Sequence, residues 1–65
     1  MNEFKVLAHV ASEIDKLRQE QAAFLAAGRA DNHPEYKHVC GIIRGLSYAE
    51  RIIDDLVQRL EKADD

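Results

Sequence analysis

The chain has 65 residues, with nine Lys and Arg against twelve Asp and Glu, a formal net charge of −3, and one cysteine. So short a chain holds one domain at most, spanning 1–65. Its balance of 46% hydrophobic to 32% charged residues belongs to a folding chain and not a disordered one. The lone cysteine excludes an intrachain disulfide framework and fits a reducing compartment. The negative charge disfavours a general binder of nucleic acid or anionic membrane. No apolar run approaches the ~20 residues of a membrane span, and Met1–Asp15 carries acids early and no long apolar core, unlike a secretory leader. Three Gly and one Pro leave too few turns for an all-β fold.

The first element is predicted to be a helix over 2–27. Leu7, Val10, Ile14, Leu17, Gln21 and Phe24 recur at alternating steps of three and four, a heptad seam. Gly28 follows a helix-forming run and suits the left-handed residue that closes a helix. The segment 28–33 is the turn. Asn32 with Glu35 three residues on reads as a capping box, Pro34 sits in the tolerant first turn, and Asp31 is the competing N-cap. A second helix over 34–62 follows, its seam being Val39, Ile42, Leu46, Ala49, Ile53, Leu56 and Leu60. At ~1.5 Å per residue each helix is roughly 40 Å long. The closing Glu61–Asp65 stretch puts acids at a helix C-terminus, against the dipole, and reads as a loose, solubilising tail.

Folding the chain back on itself tests the two seams against each other. Leu7–Leu56, Val10–Ile53, Ile14–Ala49, Leu17–Leu46, Gln21–Ile42 and Phe24–Val39 share a residue-number sum of 63, which centres the turn between Asp31 and Asn32. The fold class is therefore all-α, an antiparallel, coiled-coil-like two-helix hairpin. On one flank Leu25 faces Ile43, Arg18 faces Glu50 as an interhelical ion pair, and Ala11 faces Val57. On the other, Glu20 faces His38, Glu13 faces Gly45 and Val6 faces Ile52. A two-helix core without disulfides is marginal. Phe4, Ala11, Leu25, Tyr36, Ile43 and Val57 make a second apolar strip, so the hairpin is expected to associate, as a homo-oligomeric four-helix bundle or on a larger protein. The alternative is that these residues only widen the hairpin core.

Gly41 and Gly45, one turn apart in CGIIRGL, each cost ~1 kcal/mol against Ala in a helix interior. They read as a flat patch for close approach of another backbone, and join the strip as candidate protein-interface residues. Metal binding is not expected. His33 and His38 are poorly spaced for one helical face, His38 and Cys40 point apart, and zinc wants about four ligands. No catalytic site or cofactor is expected either: Asp54 and Asp55 diverge, Glu13 and Glu20 resemble coiled-coil pairing charges, Ser12 and Ser47 lack a nucleophile's partners, and two helices form no cleft of their own. Lys37, Arg44 and Arg51 repeat every seven residues on the outward face of the second helix. Such a stripe could follow phosphates, though three cations without interleaved aromatics are thin for that task.

The stretch from Tyr36 through Gly41, Ile43, Gly45 and Leu46 to Ala49, followed by Ile53-Asp54-Asp55-Leu56, resembles small helical-hairpin proteins encoded among the structural genes of tailed bacteriophages. Their core reads Tyr-x4-Gly-x-Ile-x-Gly-Leu before a short acidic-aliphatic helix end. The resemblance covers the second half of the chain, and carries over Tyr36, Gly41, Gly45 and Leu46 with no catalytic residue. It implies a non-enzymatic virion or assembly component, located in the particle or the host cytoplasm and docked on capsid or connector proteins. In length and hairpin architecture alone, the chain is similar to the plasmid copy-control protein that dimerises into a four-helix bundle on paired RNA loops. The alternatives are accordingly a small regulatory dimer on nucleic acid, or an inhibitor of a host protein.

Overall fold

Asn2 starts the first helix by turning its side chain back on the chain. Its amide oxygen accepts from the Lys5 backbone N–H at 2.9 Å, with Asn2 itself in extended conformation. That satisfies one of the donors orphaned at a helix N-terminus. In the computed structural model, which describes residues 2–63, helix α1 spans Glu3–Ala26 and helix α2 spans His33–Ala63. Among the described residues there is no strand. Asp64 and Asp65, the end of the expected loose tail, lie outside the described residues.

The turn closes α1 with a complete Schellman motif. Gly28 adopts φ +69°, its N–H donates to the Leu25 carbonyl at 3.0 Å, and the Arg29 N–H reaches back to the Phe24 carbonyl at 3.2 Å. Arg29 also lays its guanidinium over the Phe24 ring, 5.7 Å from the centroid, where a hydrophobic contact usually completes such a cap. Asn32 then caps α2: its side-chain oxygen accepts from the Glu35 N–H at 2.8 Å, and the Glu35 carboxylate accepts from the Asp31 N–H at 3.0 Å. The reciprocal bond thus falls one residue earlier than in the usual capping box, and Asp31 contributes a donor and not the cap.

The helices pack against each other as a hairpin of about 50 × 17 × 13 Å. Its seam differs in rotation from the one expected. The half-buried stripe on α1 is Phe4, Leu7, Ala11, Ile14, Arg18, Gln21 and Leu25; on α2 it is Val39, Ile43, Leu46, Glu50, Ile53, Val57 and Leu60, with Val39, still 6% exposed, the one buried hydrophobic side chain among the described residues. Val10, Leu17, Ile42 and Leu56, expected inside, are exposed. Both readings share Leu7, Ile14 and Gln21 on one helix and Val39, Leu46, Ile53 and Leu60 on the other, and Phe24 and Ala49, also expected inside, are half-buried too. Each helix has rolled about one residue's width around that common axis. The stripes still run antiparallel, and the Arg18–Glu50 contact joins them across the seam.

One contact distinguishes the roll: it lets Arg18 reach across to Glu50, Nε to Oε1 at 2.8 Å. The Gly28 turn holds the pairing at one end. Replacing Gly28 by Val puts a β-branched side chain into left-handed backbone, at a cost of about 1–2 kcal/mol. The expected result is a urea midpoint shifted down with an unchanged slope; an unchanged midpoint would show that the turn does not set the hairpin's stability.

Candidate protein-interaction surface

Positions displaced in the same rotational sense from each seam lie on the same side of an antiparallel pair, because side-chain direction advances about 100° per residue on both helices. Sorted this way, the hairpin has two unlike faces. One carries Val6, Val10 and Leu17 from α1 with Ile42, Gly45, Ile52 and Leu56 from α2, interrupted by Glu13, Glu20, His38 and Arg59 at the same heptad positions as Val6 and Ile52. The bulky members are all exposed, Ile52 at 68%, Leu17 at 49% and Val10 at 41%. The other face carries Asp15, Gln19, Ser47, Asp54 and Gln58.

The expected interface residues divide between these faces. Phe4, Ala11 and Val57 sit half-buried at the open end of the hairpin, where the helices part into a groove of about 610 Å³. Leu7 and Ile53 complete its apolar floor, and Glu50, Arg51, Asp54 and Glu61 rim it on the polar side. Leu25 and Ile43 are half-buried in the seam near the turn. Tyr36 is exposed, one stack away from His33, with ring centroids 6.4 Å apart. Gly41 and Gly45 lie towards the opposite, apolar face. The strip and the glycine patch therefore do not form one surface, and much of the strip already serves the hairpin. What sequence reasoning missed is Val10, Leu17, Ile42 and Leu56, which it had placed inside. Their signal was present in the width of the apolar arc, which exceeds one heptad seam.

The glycines face open space. A methyl group added at Gly41 or Gly45 meets nothing within 4 Å, so neither glycine is required by packing inside the hairpin. Tyr48 stands on the outward side of α2 under Arg51, whose guanidinium lies 5.9 Å from the ring centroid.

Arg18 is the most constrained polar group of the surface. It binds Glu50 across the hairpin and Asp15 one turn earlier, while Gln19 donates to the other oxygen of Asp15 at 2.7 Å. Hydrogen bonding to Glu50, then to Asp15, raises the guanidinium's already high pKa. Tyr36 lies one turn before Cys40, and side-chain hydrogen bonding with that half-buried thiol, followed by charge, raises the phenol above its ordinary range. The Ser47 hydroxyl donates to the Ile43 carbonyl at 3.0 Å, which ties it to its own helix. Among the described residues, no three His, Cys, Asp or Glu side chains gather as a metal site, and no helix is long and apolar enough to cross a membrane.

Set beside known proteins, the chain matches no family model, no curated protein and no solved structure.

Because nothing in the hairpin occupies the space above Gly41, replacing it with Ala should raise stability by about 1 kcal/mol through helix propensity alone. The readout is the urea midpoint of dilute protein. No rise would mean that another chain's backbone fills that space.

Proposed function

We propose that this chain is a non-enzymatic structural or assembly protein that acts by packing its helices against other protein. The observation that carries this reading is the apolar face two helices wide, set on a hairpin in which Val39 is the one buried hydrophobic side chain among the described residues and none is completely buried. An exposed contiguous apolar surface on so small a core is the property of a binding module. The resemblance of Tyr36–Leu46 to phage hairpin proteins supports a setting: a virion component docked on capsid or connector proteins, present in the particle and, before assembly, in the host cytoplasm. The chemistry within the described residues is consistent with it. Ser47 is bonded to its own helix and the carboxylates are dispersed or engaged with neighbouring side chains, so the surface offers shape and apolar area.

The test is to express a tagged chain during phage infection and isolate particles on a density gradient. The expected result is the chain co-migrating with particles in several copies each, and lost from them when Ile52 is changed to Glu. Its absence from particles, with recovery on a host protein, would overturn the virion setting in favour of an inhibitor.

A second reading rests on Lys37, Arg44 and Arg51. All three are exposed, and none lies within ion-pair distance of a carboxylate among the described residues. A regulatory dimer, carrying two copies of this three-cation stripe, would bind RNA or DNA with a log–log salt slope no steeper than about −5, near −0.9 per phosphate neutralised. No gel shift at low salt removes that reading.

A further inference from the structure

We propose that the occupant of the apolar face is a second copy of this chain, packed face to face about a two-fold axis parallel to the helices. This rests on the helix-packing reading above and names its partner. The first support is area. The chain exposes 5102 Å², whereas a compact monomer of 7.4 kDa exposes about 4,200 Å² by the usual scaling, leaving an excess of about 900 Å². A stable interface of standard size removes about 800 Å² from each partner. The surplus is therefore what one copy needs to cover another.

The second support is self-complementarity. A two-fold axis along the hairpin keeps every residue at its own height and swaps the helices, so α1 of one copy lies over α2 of its partner. All neighbouring helices are then antiparallel, the arrangement of an up-down four-helix bundle. Aligning the ends of the two half-buried stripes sets the heights: Leu25 level with Val39 and Phe4 with Leu60. In the same register Val10 falls between Ile52 and Leu56 of α2. Leu17 falls between Gly45 and Ala49, the two small residues of that face. A large side chain thus meets a small patch, and by symmetry it does so twice. The alternative two-fold, across the helices, stacks α1 on α1 and sets Glu13 and Glu20 of one copy against those of the other.

The experiment is sedimentation equilibrium over a wide concentration range, with helicity followed by circular dichroism. The wild-type chain should sediment at twice its 7.4 kDa mass. Leu17→Glu and Ile52→Glu, both at positions exposed in the hairpin, should each raise the dissociation constant at least about tenfold. Gln58→Glu, on the polar face, should leave it unchanged. In Cys40→Ser chains, mixing Leu17→Cys with Gly45→Cys should give oxidised heterodimers in preference to either homodimer. Monomer at all concentrations overturns the proposal, as does a dimer indifferent to Leu17→Glu but broken by Gln58→Glu. If the Leu17→Cys chain instead crosslinks mainly to itself, the axis is overturned. A monomer still found in particles sinks the dimer and leaves the helix-packing reading standing; a dimer absent from particles does the reverse to the virion setting.

Discussion

The structure turns on a conflict between two heptad seams that share one axis. Leu7, Ile14 and Gln21 on α1, and Val39, Leu46, Ile53 and Leu60 on α2, belong to both. What differs is the companion set: Val10, Leu17, Ile42 and Leu56 on one side, or Ala11, Leu25, Ile43 and Val57 on the other. Two helices can bury one stripe each. Whichever set turns inward, the other is left in water. The hairpin buries the second set, and from that choice follow the shallow core, the exposed apolar face and the polar character of the opposite face.

Arg18 and Glu50 occupy the positions where the choice is made. Rolled the other way, Leu17 and Ala49 would lie at the centre, and the guanidinium and carboxylate would move further out to the rim. Rolled as observed, the two long side chains span the seam and meet at 2.8 Å. A partly exposed ion pair adds little to stability. Its value lies in geometry: a charge pair inside a mostly apolar stripe distinguishes registers that hydrophobic burial ranks almost equally, as polar residues at core positions do in coiled coils. Asp15 braces the same guanidinium from its own helix, and Gln19 in turn donates to Asp15.

This explains which parts of the structure were legible in the sequence. The helices, their antiparallel pairing and the turn are written in local chemistry: Asn32 as a cap, Gly28 as the left-handed terminator, heptads that fold onto each other. Each follows from that chemistry. The rotation of the seam does not, because hydrophobic periodicity reports that a face is apolar and is nearly blind to a shift of one residue within a wide apolar arc. The Arg18–Glu50 contact itself was readable, and it was placed on the flank of the seam, when its position inside the stripe was the signal that would have fixed the roll. Misplacing it exchanged the two sides of the hairpin. Part of the strip expected to be free became seam, and part of the expected seam became the free face. The glycines stayed where their spacing put them, yet their surroundings changed from an adjunct of the strip to the border of the apolar face.

Function sits further from the sequence than fold, since a two-helix hairpin is compatible with many tasks. The energetics narrow them. Ordering each residue costs on the order of 1–2 kcal/mol of backbone entropy alone, and a hairpin whose described residues include one buried hydrophobic side chain, Val39, has little apolar burial to set against that. Any protein that covers the Val10–Leu17–Ile52–Leu56 face binds the folded hairpin and not the unfolded chain. It therefore stabilises the fold by mass action, in proportion to the logarithm of its concentration over its dissociation constant once that ratio is large. Folding and assembly become one equilibrium. The same apolar residues that leave the solitary hairpin marginal make its stability a measure of partner occupancy. In such a chain the choice between two seams is functional, because it selects which ridge holds the hairpin together and which is offered outward.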